Sequence, residues 1–215
     1  MPKIPVFPKF RSIEIEDKKR FGLFFARYQA VASEYTFANF YVWRNSDRSL
    51  ISCLNNNIVI YSSPSGQKPY FFMPLGFAKV EETIEKCIEY MLTKNEHPRF
   101  NAIPESFVKA YFRERFIVKE NPVIADYVYR TEDLINLKGR KYDGKRNRIK
   151  KFLKNYNYEY CKLKTHHIPE CLKLLEVWSR KKSSEAEEFP KLRDEKQAAI
   201  ETLLHYDELK LKGGI

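Results

Sequence analysis

Seventeen consecutive residues, Lys138–Lys154, concentrate the chemistry that this chain can carry. Nine of them are Lys or Arg and Asp143 is the single acid, a local net charge of +8. Like charges at this density repel one another along a helix, and an anion seated among them offsets the repulsion. Phosphate oxygens are the partners that fit, whether those of nucleic acid or of an anionic lipid. Lys138, Arg140, Lys141, Lys145, Arg146, Asn147 and Arg148 are therefore the candidate anion- or phosphate-binding residues. Gly139 and Gly144 flank the start of the helix, where glycine leaves backbone N–H groups open to a phosphate oxygen. The structural alternative is a solvated face, with Lys and Arg stems shielding an apolar stripe and Arg146 or Asn147 tying the helix to the first part of the chain.

Other patterns fall short of a site. Gly139 through Lys145 fits the first seven positions of a P-loop, but the eighth, a Ser or Thr that holds magnesium, is Arg146. An acidic and apolar stretch, Glu132–Asn136, also stands where a P-loop has a buried strand. Cys161, His166, His167 and Cys171 match no standard zinc spacing, so no metal ligand is assigned. His97 and His205 stand alone. There is no Ser-His-Asp arrangement, no metal-hydrolase motif, and no basic residue followed by closely spaced glycines of the kind that cradles acetyl-CoA. Tyr and carboxylates are too numerous to single out a catalytic base. Tyr35, Phe37, Phe40, Tyr41 and Trp43 could stack on bases, but few cations interleave them, and core packing is the favoured reading.

The elements that must position the basic segment follow from periodicity. Ile149, Phe152, Leu153 and Tyr156 recur at i, i+3, i+4 and i+7, which places a helix over 141–155 with these four residues facing a core. Upstream, the pattern predicts a helix over 17–32 using Phe21, Leu23, Phe24, Phe25, Tyr28 and Val31. A hairpin over 49–62 turns at Asn55–Asn57, and a strand follows at 70–73. A helix over 79–93 carries Val80, Ile84, Cys87, Ile88 and Met91 on one face. A short strand at 100–103, a short helix at 105–111 and an extended segment from Phe116 complete the first part. Beyond Pro122, strands are expected at 123–130 and 156–163, with a short helical start at Thr131–Leu134. Helices are expected at about 168–181 and 191–206, separated by a polar loop at 183–188, and the last residues read as the start of a strand. This alternation indicates an α/β or α+β layer.

The totals bound the rest. The 215 residues carry a net charge of +11, with 16 Phe and 14 Tyr to build a core. That charge suits an anionic partner. Nothing near the N-terminus reads as a signal peptide, and no apolar run is long enough to span a bilayer. The four cysteines are scattered, as suits reduced thiols, and the expectation is a cytoplasmic protein.

Three segments together resemble the phosphatidylglycerol lysyltransferase C-terminal-like family: Glu34–Arg44, Asp126–Tyr129 and Leu137–Phe152, the last through its core Lys145-Arg146-Asn147. The resemblance implies a tandem GNAT-like acyltransferase fold. Residues 1–121 would be a complete first unit, and 122–215 the front of a second, incomplete one. It further implies transfer of an aminoacyl or acyl group, with aminoacyl-tRNA or acyl-CoA as donor and an amine or hydroxyl as acceptor. The basic residues would hold the phosphates of tRNA or of a lipid headgroup. On this reading the chain is inactive alone, and self-association or a second chain would supply the missing strands and cover the apolar faces of 168–181 and 191–206. The alternative, from another class, is a non-catalytic anion- or nucleic-acid-binding module.

Overall fold

In a computed structural model of the protein, residues 3–28, 32–112, 115–122, 125–185 and 189–215 are described. Their order is β1 (Arg11–Ser12), a 3-10 turn (Ile15–Asp17), α1 (Lys18–Phe25), α2 (Phe37–Trp43), β2 (Leu50–Leu54), β3 (Asn57–Ser62), β4 (Tyr70–Phe71), α3 (Val80–Thr93), α4 (Glu105–Tyr111), α5 (Thr131–Asn136), a 3-10 turn (Arg140–Tyr142), α6 (Asp143–Asn155), a 3-10 turn (Thr165–His167), α7 (Ile168–Glu185) and α8 (Phe189–Leu204). Helices and an antiparallel sheet in the order β1-β2-β3-β4 make this an α+β fold.

The hairpin is the centre of the first unit. Asn55 and Asn56 both take positive φ, 51° and 62°, as the two central residues of a primed turn must, and asparagine tolerates that conformation. Leu54 therefore pairs with Asn57, and Ile51 with Ile60. The turn is one residue shorter than expected, because Asn57 belongs to β3. Its buried amide donates to Ala78 O at 2.7 Å and Thr83 Oγ1 at 2.9 Å. Gly76 is glycine for a steric reason: a β-carbon there would lie 2.0 Å from Asn57 Oδ1. Every residue of β3 is buried. Ile58 and Ile60 face one apolar cluster with Phe21, Phe40 and Ile84, and Val59 and Tyr61 face another with Phe71, Cys87 and Met91. Two covered faces explain why the strand reads as a continuous apolar run rather than an alternation.

Thr36 caps α2, its hydroxyl accepting from Asn39 N at 3.2 Å, which satisfies one of the free donors at a helix start. Tyr35, Phe37, Phe40 and Tyr41 are all buried, so the aromatic segment is core and not a stacking surface. Trp43 is only partly buried at its margin. The first helix is shorter than the expected 17–32. It ends at Phe25, where Arg27 N turns back to Phe24 O, and Val31 lies outside the described residues. The predicted strand at 100–103 is reduced to a single parallel bridge between Phe71 and Phe100.

The chain divides into two compact units, one of residues 1–120 with 164–211 and one of residues 121–163 with 212–215. The C-terminal helices thus join the first unit, against the expectation that they lack a surface to cover. Helix α8 packs on α2 and on α7, and Ala198 and Leu209 enter the main apolar cluster. Residues 183–185, expected as loop, extend α7, and 186–188 lie outside the described residues. In the second unit the expected strands are largely absent. Residues 125–130 are irregular and exposed, with 123 and 124 outside the described residues. Of 156–163 only the end pairs, through Cys161 N to Ile215 O at 2.9 Å and Leu163 N to Gly213 O at 3.0 Å. A two-strand ribbon cannot cover a helix face. Ile149, Phe152, Leu153 and Tyr156 accordingly lie exposed rather than against a core.

Candidate anion-binding site

The basic segment is positioned by a tight turn between α5 and α6. Leu137 ends α5 in the left-handed conformation, with φ 47°. Gly139 follows at φ 91°, a value that a β-carbon disfavours and glycine adopts freely. The next three residues form the 3-10 turn, and Tyr142, buried at its end, points its hydroxyl to Asp133 Oδ2 at 3.3 Å. Open space surrounds the α-carbons of Gly139 and Gly144.

The seven candidate residues separate into three groups. Arg146 is engaged within its own segment. Its guanidinium donates to the carbonyl oxygens of Leu137 and of Gly139, the latter at 3.0 Å, and pairs with Asp143. It clamps the turn to α6, a duty the other six candidates do not share. Lys141 and Lys145 are partly engaged. Lys141 Nζ lies 3.2 Å from Asp133 Oδ2 and 4.9 Å from the Tyr142 ring centre. The Asp133 carboxylate, by hydrogen bond first and by charge second, holds the Lys141 ammonium above its ordinary range. Lys145 Nζ is 6.0 Å from the centre of the Tyr129 ring, at the outer limit of cation–π attraction.

Lys138, Arg140 and Arg148 form the third group, with Asn147 beside them. All four are exposed, and among the described residues no carboxylate lies within ion-pair distance of these three cations. The same holds for Lys150, Lys151 and Lys154, which lie in the same run although the seven candidates do not include them. Arg148, Lys151 and Lys154 recur every three residues along α6, and Lys150 and Lys154 one turn apart, so the free cations form a broad stripe. Sequence reasoning missed Tyr129, Asp133 and Tyr142 as the partners of this region. The one signal available was Tyr142, an aromatic between two glycines inside a run of charge.

Elsewhere the histidines have local duties. His167 Nδ1 accepts from Lys164 N at 3.1 Å. His205 Nε2 meets the Tyr41 hydroxyl at 3.1 Å, where α8 lies on α2. The four cysteines carry free thiols, and burial drives the Cys87 thiol well above its ordinary range. No helix of the described residues is long and apolar enough to cross a membrane.

A family model described as "Phosphatidylglycerol lysyltransferase, C-terminal" matches residues 25–215. The chain belongs to that family. The match spans the turn, α6 and all the free cations, which places the candidate site within a transferase-related domain. The chain also resembles a solved structure, described as a conserved protein of unknown function from Bacteroides thetaiotaomicron. The two are 27% identical with a TM-score of 0.83, over 96% of this chain and 70% of that one. No curated protein matches the chain.

Proposed function

We propose that this protein is a GNAT-like relative of aminoacyl transferases, with a second GNAT-like unit opening at residue 122 and α6 as its phosphate-holding helix. The donor is a charged tRNA and the acceptor an amine or hydroxyl, of which a lipid headgroup is one source. In such a transfer the acceptor's nitrogen or oxygen attacks the aminoacyl ester carbon. The terminal ribose oxygen leaves and takes up a proton. The contribution assigned to this chain is binding and orientation: Lys138, Arg140 and Arg148 hold phosphate oxygens, and the Arg146 clamp keeps the turn that presents them. The observation that carries the reading is the group of unpaired cations on α6 and in the turn before it, in a chain of this family.

The test is tRNA binding across a salt series, run beside transfer of labelled lysine from lysyl-tRNA to phosphatidylglycerol vesicles. Lys138→Glu, Arg140→Glu and Arg148→Glu together are expected to weaken binding and to lower the log–log salt slope by about 0.7–0.9 for each phosphate no longer neutralised. Any transfer the chain supports should fall with it. An unchanged slope would return these residues to a solvated face.

One observation favours a second reading, a non-catalytic anion-binding module. Two carboxylates of this segment, Asp133 and Asp143, are both committed to cationic partners, which leaves neither as a ready base. Salt-sensitive tRNA binding without transfer of any aminoacyl group would select that module.

A further inference from the structure

The first unit carries an open cleft of about 760 Å3, remote in sequence from the basic segment. Its floor is aromatic. The Phe112 and Phe116 rings are 4.3 Å apart, and Phe100 stands 5.1 Å and 5.8 Å from them. Ile88 of α3 and Val108 of α4 extend the apolar lining. One wall is fixed by backbone. Phe71 N donates to Arg99 O at 2.9 Å and Asn101 N to Phe71 O at 3.0 Å, which ties one wall to β4. Ala102 then takes φ 53°, a turn that L-residues resist, and sends the chain away through Pro104 into α4. Its size and apolar floor are those of a small-ligand site.

Its charge is one-sided. Lys68, Arg99 and Lys119 line the cleft and are exposed, and among the described residues none has a carboxylate within ion-pair distance. Arg115 differs in being held by Glu85 at 3.0 Å. No Asp or Glu is among the described lining residues. An apolar floor beneath unpaired cations is complementary to a ligand with an apolar body and an anionic head.

We propose that this cleft binds an amphipathic anion, with its alkyl or aryl body on the Phe100–Phe112–Phe116 floor and its phosphate or carboxylate head held by Lys68, Arg99 and Lys119. The proposal uses no residue of 138–154, and its test involves neither tRNA nor aminoacyl transfer. The test is calorimetric titration of the full chain with three probes: decyl phosphate below its micelle concentration, inorganic phosphate and decyl glucoside. Decyl phosphate is expected to bind one saturable site, at least about tenfold more tightly than either of the others. Arg99→Glu with Lys119→Glu, both at exposed positions that the fold tolerates, should weaken it by about tenfold or more, whereas Lys19→Glu leaves it unchanged. Absence of saturable binding would overturn the proposal. So would inorganic phosphate binding as tightly, which reports only a basic surface, or decyl glucoside binding as tightly, which reports only an apolar crevice. An Arg99→Glu, Lys119→Glu variant with parental affinity would overturn it as well.

Discussion

Arg146 donates to two carbonyl oxygens of the turn before α6, whereas Arg148, two residues on, exposes its guanidinium without a carboxylate partner among the described residues. Their substitution should therefore separate stability from binding. Arg146→Ala removes charge-assisted bonds worth about 1.5–3 kcal/mol and should speed hydrogen exchange at residues 137–143. Arg148→Glu should leave that exchange unchanged and weaken tRNA binding. The sequence placed both among the anion-binding candidates and offered Arg146 as a structural tie only in the alternative reading. What distinguishes them is the left-handed backbone at Leu137 and Gly139, which turns two carbonyls toward Arg146, and a one-dimensional charge count carries no such information. Asp47 offers a second test at this scale. It is half-buried near Asp194, and desolvation first, then that neighbouring charge, lifts its carboxyl to about 6. The unfolded value is about 3.9, so the folded state binds the proton more tightly. The resulting stability is fully present below about pH 4 and is lost as pH rises through about 6. Asp47→Asn should raise the melting temperature at pH 7.5 by the equivalent of about 1–2 kcal/mol, after discounting for solvent screening, and change little at pH 4. An equal shift at both pH values would show that the charge of Asp47 is not the cause.

At the scale of elements, α8 shows what periodicity conveys and what it leaves open. The spacing of Leu192, Ala199, Ile200 and Leu203 marks a helix with an apolar side, but spacing cannot name the surface that side meets. Here that surface is α2, where Ala198 is 4% exposed. The guanidinium of Arg44 lies 2.9 Å from Glu201, with both side chains largely buried, and 3.8 Å over the Tyr41 ring. The hairpin, by contrast, was legible to within one residue, because Asn-Asn-Asn between two β-branched runs fixes both the turn and the pairing locally. Burial at Ala198 has a measurable consequence. Ala198→Leu inserts three carbons at a buried position where α8 meets α2 and should cost about 1–3 kcal/mol. Leu204→Ser, at a position 56% exposed on the same helix, should stay within about 0.5 kcal/mol of the parent. Phe40→Ala, at the junction of Phe21, Tyr35 and Phe72, should cost about 3–5 kcal/mol. Denaturant midpoints for the three variants would order them, and equal costs for Ala198→Leu and Leu204→Ser would mean that α8 does not lie on α2 in solution.

At the scale of the whole molecule, burial is divided unequally between the two units. The first holds the sheet, both apolar clusters and the last two helices. In the second, among the described residues, Tyr142 alone is buried, while Tyr127, Val128, Phe152, Leu153, Tyr158 and Tyr160 are exposed. The sequence concealed this difference, because apolar residues at helical or strand spacing look the same whether or not a facing layer exists. Local opening costs little where few apolar neighbours are separated, and approaches the global unfolding energy in a packed core. Hydrogen exchange followed by mass spectrometry should therefore find α6 and residues 156–163 exchanging orders of magnitude faster than α3. Helix α8, despite its distance along the chain, should exchange with α2 and not with α6. The boundary between slow and fast segments should fall near 120 and again near 163, where the chain passes between its compact units. Protection of α6 equal to that of α3 would contradict this. It would mean that the face bearing Ile149, Phe152, Leu153 and Tyr156 is covered in solution by another molecule. A solution mass at the monomer value together with such protection would exclude a second copy of this chain as the cover, and a doubled mass would identify it.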